Sequence, residues 1–500
     1  MIPAVHIARG FARRSAKSTI ITTPSNASKF SDSIDADRRS GFDISISLVE
    51  FPCREAGLPD GCEDLSSTTT LEMFYNFLHA LDLFRRPVED ILQQGDPDCL
   101  ISGAFFSWTT SVARSLGIPR VVFYGTGFFP MCVFRVLREQ RPQDAVASDS
   151  EEFEVPGLPD RVLEADGAGF GIVVNTFLEL EPAYASHYRK LTGKAWHIGP
   201  VSLISGVTSP EIHHDCMKWL GSRKQNSVVY VCFGSMAIVQ KPQMDEIAAA
   251  LEDIEQDFIW VVQILSHAAV GGFVTHCGWN SLMEGVAAGV PMVTWPLSAE
   301  QFFNEKLVAE VLGMGVPVGA EEWSKRTDER AAIGREKIAR AVGRLMGGEE
   351  GERMRRRARE LGKVARRAVE EGGSSYADFD SKIVVLVDYD PAAAPAKPPS
   401  KTSANSAPIP TPGPVEEPTA AAAKDSKKHK DDEFSDSDSE ETAPSKSSQT
   451  GASSQSAGSV TAKDAPAQSN ADPNEIANLT RKTEQVALGS SAATPAETGR

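Results

Sequence analysis

Cysteine is sparse in this chain, a surplus of positive charge is missing, and no long apolar run occurs. The seven cysteines, Cys53, Cys62, Cys99, Cys132, Cys216, Cys232 and Cys277, are scattered without a CxxC pair. That spacing indicates neither a zinc knuckle nor a disulfide framework, and it fits a reducing compartment. Lysine and arginine number 51 against 68 acidic residues, a net charge of −17, so no broad basic face for nucleic acid is expected. Without a stretch of about 18 apolar residues, no membrane span is expected either. What is present, 500 residues with 41% hydrophobic and 24% charged content, suffices for two ordinary domains and extra sequence.

Arg9, Arg13, Arg14, Lys17 and Lys29 precede the first acid, Asp32, a pattern compatible with an organellar leader. Ile2, Val5, Ile7 and Phe11 also fall at helical spacing. A buried helix over Pro3–Arg14 leading into a strand Ser18–Thr22, in a cytoplasmic protein, is the preferred reading. Further strands are expected at Phe42–Leu48, Cys99–Ser102, Arg120–Tyr124 and Gly171–Asn175, with helices at Leu71–Gln94 and Thr109–Leu116. This alternation is that of a doubly wound α/β domain.

A second α/β unit starts near residue 200, with strand Val228–Phe233, helix Gln243–Glu252 and strand Phe258–Val262. Trp260 is expected in the core. Helices follow at Ile333–Met346 and Glu349–Glu371. In the latter, Arg353, Arg355, Arg356, Arg357, Arg359, Arg366 and Arg367 alternate with glutamates, as on a solvated helix surface. The domain ranges are therefore 1–199, 200–388 and a tail, 389–500. From Pro391 onward Phe434 is the only aromatic, and so polar a segment cannot offset its ordering entropy. Disorder is expected there, with Ser435, Ser437 and Ser439 in an acidic context suited to a kinase.

The most informative segment runs from Gly271 to Val286, GGFVTHCGWNSLMEGV. It reads as a strand, a turn at Cys277-Gly278, and a helix that Asn280 or Ser281 could cap. A helix opening straight after a parallel strand offers unpaired N–H groups to a phosphate, with His276 as a further donor. Glu284, one turn along, could accept from ribose hydroxyls. Glu300 and Gln301 follow the next strand, Val290–Trp295, at the sheet edge where ligands of open α/β sheets collect. Singly, these residues have ordinary readings too: a capped turn, Trp279 as core, Glu284 as helix surface.

The ordered set resembles the signature box of plant secondary-product UDP-glycosyltransferases. Ser227–Ser235, Lys194–Pro200, Val174–Pro182 and Ile20–Pro24 extend the resemblance. It implies two Rossmann-like doubly wound domains facing across a cleft (GT-B), which transfer a sugar from a UDP donor to a small hydroxylated acceptor, with inversion and without a metal. By the same resemblance, His276, Asn280, Ser281 and Ser235 would contact the diphosphate, Glu284 the ribose, and Glu300 and Gln301 the sugar, glucose being favoured. Trp279 and Gln263 would complete the UDP-sugar site.

The family's catalytic histidine, on the first strand, would lie before Met1, and its orienting aspartate would stand at Gly103. His6, His79 and His187 fall in helical stretches and are not expected to replace the base. Phe105, Phe106, Trp108, Phe128 and Phe129 suggest an apolar pocket for a terpenoid or phenolic acceptor. The alternatives left open are a catalytically inactive nucleotide-sugar-binding or interaction protein, and a faulty gene model.

Overall fold

The computed structural model describes residues 2–142, 170–204, 214–235, 237, 239–260, 264–322 and 332–387. Gln263 and the serines at 435, 437 and 439 lie outside these residues. Among the described residues there are eleven strands, every pair of them parallel. They are β1 (Ser18–Thr22), β2 (Ile44–Leu48), β3 (Leu100–Gly103), β4 (Arg120–Tyr124), β5 (Gly171–Val174), β6 (Ala195–His197), β7 (Val228–Cys232), β8 (Phe258–Ile259), β9 (Val270–Thr275), β10 (Met292–Thr294) and β11 (Gly315–Pro317).

The second half of the chain builds one sheet in the order β11-β10-β9-β7-β8. Because side chains alternate across a strand and both faces are covered by helices, its central strands are apolar throughout. Tyr230, Phe273 and Met292 point into one cluster with Leu282 and Val286; Val229, Val231, Val274 and Val293 point into the other with Ile338 and Leu345.

The first half is divided. Strands β1 and β2 form a sheet of their own, and β3-β4-β5-β6 form a second. No described strand pairs with the outer edge of β1 or of β3. Helices bridge the two sheets instead. The first helix, Ile2–Ala12, sends Val5 and Ala12 into a cluster with Ile20 and Ile44, and Ile7 into another with Val121 and Trp196. On the opposite side of β1, Ile21 shares a cluster with Val88, Leu92 and Leu100. The last helix, Ser374–Val387, packs on this half: Phe379 stacks near Phe11, Arg14 pairs with Asp380, and the Ser375 hydroxyl donates to the Gly199 carbonyl at 2.6 Å.

Three expectations are corrected. The stretch expected as a single helix over Leu71–Gln94 is two helices, Leu71–Leu83 and Arg85–Gly95. Pro87 lies in the first turn of the second, where its missing N–H is tolerated but a continuous helix is not. Trp260, expected in the core, follows the two-residue edge strand β8 and is 38% exposed. The arginines of helix Gly348–Val369 are not all solvated surface: Arg357 donates to the Leu312 carbonyl at 3.1 Å and Arg366 to the Ala287 carbonyl at 2.6 Å. Each satisfies a carbonyl near the end of a neighbouring helical segment, where cations are favoured.

Candidate functional site

Strand β9 is buried along its whole length between β7 and β10, so the chain leaving it at His276 is held at the carboxyl edge of the sheet. The turn that follows puts Cys277 at φ +62°, and the buried Asn304 side chain holds it by donating to the Cys277 carbonyl at 2.8 Å. A helix then runs Trp279–Ala288. Its N-cap is Gly278, which has no side chain to offer. The sequence-based choice of Asn280 or Ser281 as cap is therefore corrected. The helix opens earlier, both residues sit in its first turn, and neither side chain is spent on a cap.

This matters for the amides. Leu282 is the first residue whose N–H bonds back, to Gly278 at 3.0 Å. The Trp279 N–H lies close enough to the Glu300 carboxyl to favour its ionised form. The Asn280 and Ser281 amides find no partner among the described residues, which leaves two donors at the positive end of a ten-residue helix. The Asn280 side chain is exposed and that of Ser281 half-buried beside them.

Around this end stand the other expected residues. The His276 ring lies against Gly234, where a Cβ would come within 2.6 Å of it; Gly234 has φ +74°, so a side chain there would be both strained and in collision. Ser235 follows, exposed at the end of β7. Burial depresses the His276 pKa to about 4, partly opposed by the Cys232 backbone. The ring is therefore neutral at pH 7, with one N–H and no charge.

One turn along the helix, burial lifts the Glu284 carboxyl to about 7. Burial also raises Glu300, against the opposing pull of its own and the Trp279 N–H. Gln301 is oriented by two backbone donors, Leu297 and Ser298, whose N–H groups reach its Oε1 at 2.8 and 3.0 Å. Its Nε2 is left as the group available to a ligand.

Trp279 does not belong with these residues. Its indole is 1% exposed, its Nε1 donates to the Asn175 carbonyl at 2.7 Å, and its ring sits against Gly127, where a Cβ would come within 2.2 Å. It is a wedge between the halves of the protein, and its backbone N–H is the part that faces the site.

On the other half, β3 ends at Gly103, where an added Cβ would meet nothing nearer than Phe106 at 3.8 Å. Of the aromatics expected to line an acceptor pocket, Phe105 is 78% exposed just beyond that strand. Phe106 and Trp108 pack edge to face within a core cluster. Phe128 is wholly buried and Phe129 meets Tyr184 edge to face, so the first of these is core rather than pocket.

Asn175 and Glu181 carry weight that their sequence context did not reveal. The fully buried Glu181 carboxylate accepts the Phe128 and Phe129 N–H groups at 2.9 and 2.8 Å, capping the helix Phe128–Gln140 beside Gly127. In the sequence Glu181 stands two residues after a second acid, Glu179, and nothing local tells the buried one from the exposed one.

Residues 261–332 match the family model described as UDP-glucoronosyl and UDP-glucosyl transferase. The scopoletin glucosyltransferase of Nicotiana tabacum is 42% identical over 457 residues, 78% of this chain and 96% of that protein. The UDP-glucose flavonoid 3-O-glucosyltransferase 7 of Fragaria ananassa is 42% identical over 460 residues, 77% and 93% of the two chains. A Glycyrrhiza uralensis protein, solved in complex with glycyrrhetinic acid 3-O-monoglucuronide, superposes with a TM-score of 0.71 at 35% identity, covering 77% of this chain and 92% of that one. With parallel α/β sheets in both halves and relatives of this similarity, the protein has the GT-B fold and belongs to the plant UDP-glycosyltransferase family.

Proposed function

We propose that the chain transfers glucose from UDP-glucose to a hydroxyl of a small phenolic or terpenoid metabolite, with inversion and without a metal. Glycosyl transfer, rather than mere binding of a nucleotide sugar, is the reading that relatives of this similarity support. The observation that carries the donor site is the helix Trp279–Ala288 without a side-chain cap, with two amides free among the described residues, the Asn280 and Ser281 side chains beside them, and the half-buried Glu284 one turn along with no partner among the described residues.

In a single displacement the acceptor oxygen, its proton released to solvent, attacks the anomeric carbon while the bond to the β-phosphate oxygen breaks and its electron pair leaves with the diphosphate. Negative charge builds on the departing diphosphate. Fixed N–H groups aimed at that charge stabilise it without reorganisation, and in this reading His276, Ser235, Asn280 and Ser281 add to them. Glu284 accepts from the ribose, and Glu300 with the Gln301 Nε2 holds the sugar. Phe105 offers an apolar contact to the acceptor. His6 is half-buried in a helix with its pKa near 4, His79 lies exposed on a helix and His187 is buried in one. Phenols, whose hydroxyl ionises most readily, need a general base least and are the acceptors proposed.

The test is thermal. UDP at a hundredfold its Kd adds about 2.7 kcal/mol to the stability of the protein that binds it, a shift of several degrees in Tm. That shift is expected for the full chain and is expected to vanish in Glu284→Ala. Incubation with UDP-glucose and a coumarin or flavonoid should give the glucoside by mass spectrometry, in EDTA as well as without it. An unmoved melting curve at millimolar UDP would refute the donor site.

A further inference from the structure

We propose that Asn175 is a positioning residue for the donor site: from the other half of the protein it sets which end of the Asn280 side-chain amide faces the diphosphate. The inference rests on the reading that Asn280 contacts that group.

Asn175 lies just beyond β5 and is 3% exposed. The Val201 backbone N–H meets its side chain at 2.9 Å. A backbone N–H only donates, so the atom it meets is Oδ1 and the Asn175 amide has one permitted orientation. Its Nδ2 therefore points the other way, to the Asn280 side chain at 3.0 Å. That nitrogen only donates, so the atom on Asn280 is Oδ1.

The consequence falls on the exposed side. With Oδ1 engaged, Asn280 turns its Nδ2 outward beside the free amides, and an anion meets N–H groups there. An exposed asparagine without this partner can rotate by half a turn and present its oxygen, which repels a phosphate. The Asn175 carbonyl also takes the Trp279 indole N–H, so one buried residue holds two consecutive residues of the helix opening. The contact joins positions 105 apart in the chain.

Asn175→Asp is the informative substitution. It keeps the shape and an acceptor for Val201, but its second oxygen now demands a donor. Asn280 then turns Nδ2 inward and shows Oδ1 to the diphosphate. UDP affinity and donor KM are expected to worsen about tenfold, while uridine affinity and acceptor KM stay within about twofold, because neither involves the diphosphate contact. In an Asn280→Ala background the same change should add almost nothing.

The controls separate the possible failures. If Asn280→Ala leaves UDP affinity unchanged, the diphosphate reading of Asn280 is wrong and the inference falls with it. If Asn280→Ala weakens UDP but Asn175→Asp does not, the reading stands and the positioning role is wrong. Equal loss of UDP and uridine binding, or a full effect in the Asn280→Ala background, would mark a merely structural residue. Should Asn175→Asp fail to fold, Asn280→Asp replaces it. Its second oxygen would face the diphosphate, so it must bind UDP more weakly than Asn280→Ala, and binding as tight as the parent's would overturn the proposal.

Discussion

At the scale of single residues, the site is built from groups whose protonation differs from that in water, and Glu284 is the clearest. Burial alone raises its carboxyl to about 7, so in the free protein it is close to half protonated at neutral pH. Ribose hydroxyls donate best to the anion. Binding should therefore favour the ionised form, lower this pKa and release roughly half a proton at pH 7. Affinity for UDP is expected to rise as pH goes from 6 to 8. His276, already neutral above its value near 4, contributes nothing over that range. Isothermal titration in buffers of different ionisation enthalpy reads the proton directly. The release should be present in the parent and lost in Glu284→Gln; a binding enthalpy independent of buffer would contradict the assignment.

At the scale of elements, the two halves differ in how their strands are held. Strands β7 and β9 are flanked on both sides, whereas β1 and β3 each have one neighbour among the described residues. Amides on an unpaired edge open without breaking a ladder. Hydrogen exchange should be faster in Ser18–Thr22 and Leu100–Gly103 than in Val228–Cys232 and Val270–Thr275, and equal protection would show that the first half is closed in solution. The same contrast explains what the sequence disclosed. The strand, turn and helix around Thr275 and Trp279 were legible because their period and turn residues are local, as were the bounds of β1 and β4. The capping by Arg357 and Arg366 was not, since the carbonyls they reach lie 45 and 79 residues away. Trp279 as core was one of two readings, and the sequence could not choose between them because Gly127, which makes room for the ring, belongs to another element. Spacing alone could assemble the site residues, but not show which of them face a ligand and which face a neighbour.

At the scale of the molecule, buried acids should govern how stability responds to pH. Burial raises Glu181, Glu284 and Glu305 to about 7 from an ordinary 4.5. Between those two values the folded chain keeps protons that the unfolded chain has released, so stability falls as pH rises through the window and the loss is complete above about 7. Asp64 and Asp378 work in the other direction. Asp64 is held down to about 2 by Lys29 and nearby serine hydroxyls, and Asp378 is lowered by His197 and Arg189. Their contribution is present above the ordinary aspartate value of 3.8 and is lost only as pH falls below it. His6 and His276, lowered by burial to about 4 from 6.5, likewise add stability as pH rises between those values, and the opposed trends leave a maximum near pH 5, not at neutrality. Melting temperature, measured without nucleotide, should drop by several degrees between pH 5.5 and 8. Glu305 isolates the cause, since it lies behind the turn, accepting from the Thr294 hydroxyl at 2.7 Å. Glu305→Gln keeps an acceptor for that hydroxyl and removes the titration, so its melting curve should depend less on pH than the parent's. A parent Tm that is flat or rising from 5.5 to 8 would mean that these carboxyls are solvated in the folded protein, and the depth assigned to the site floor would be wrong.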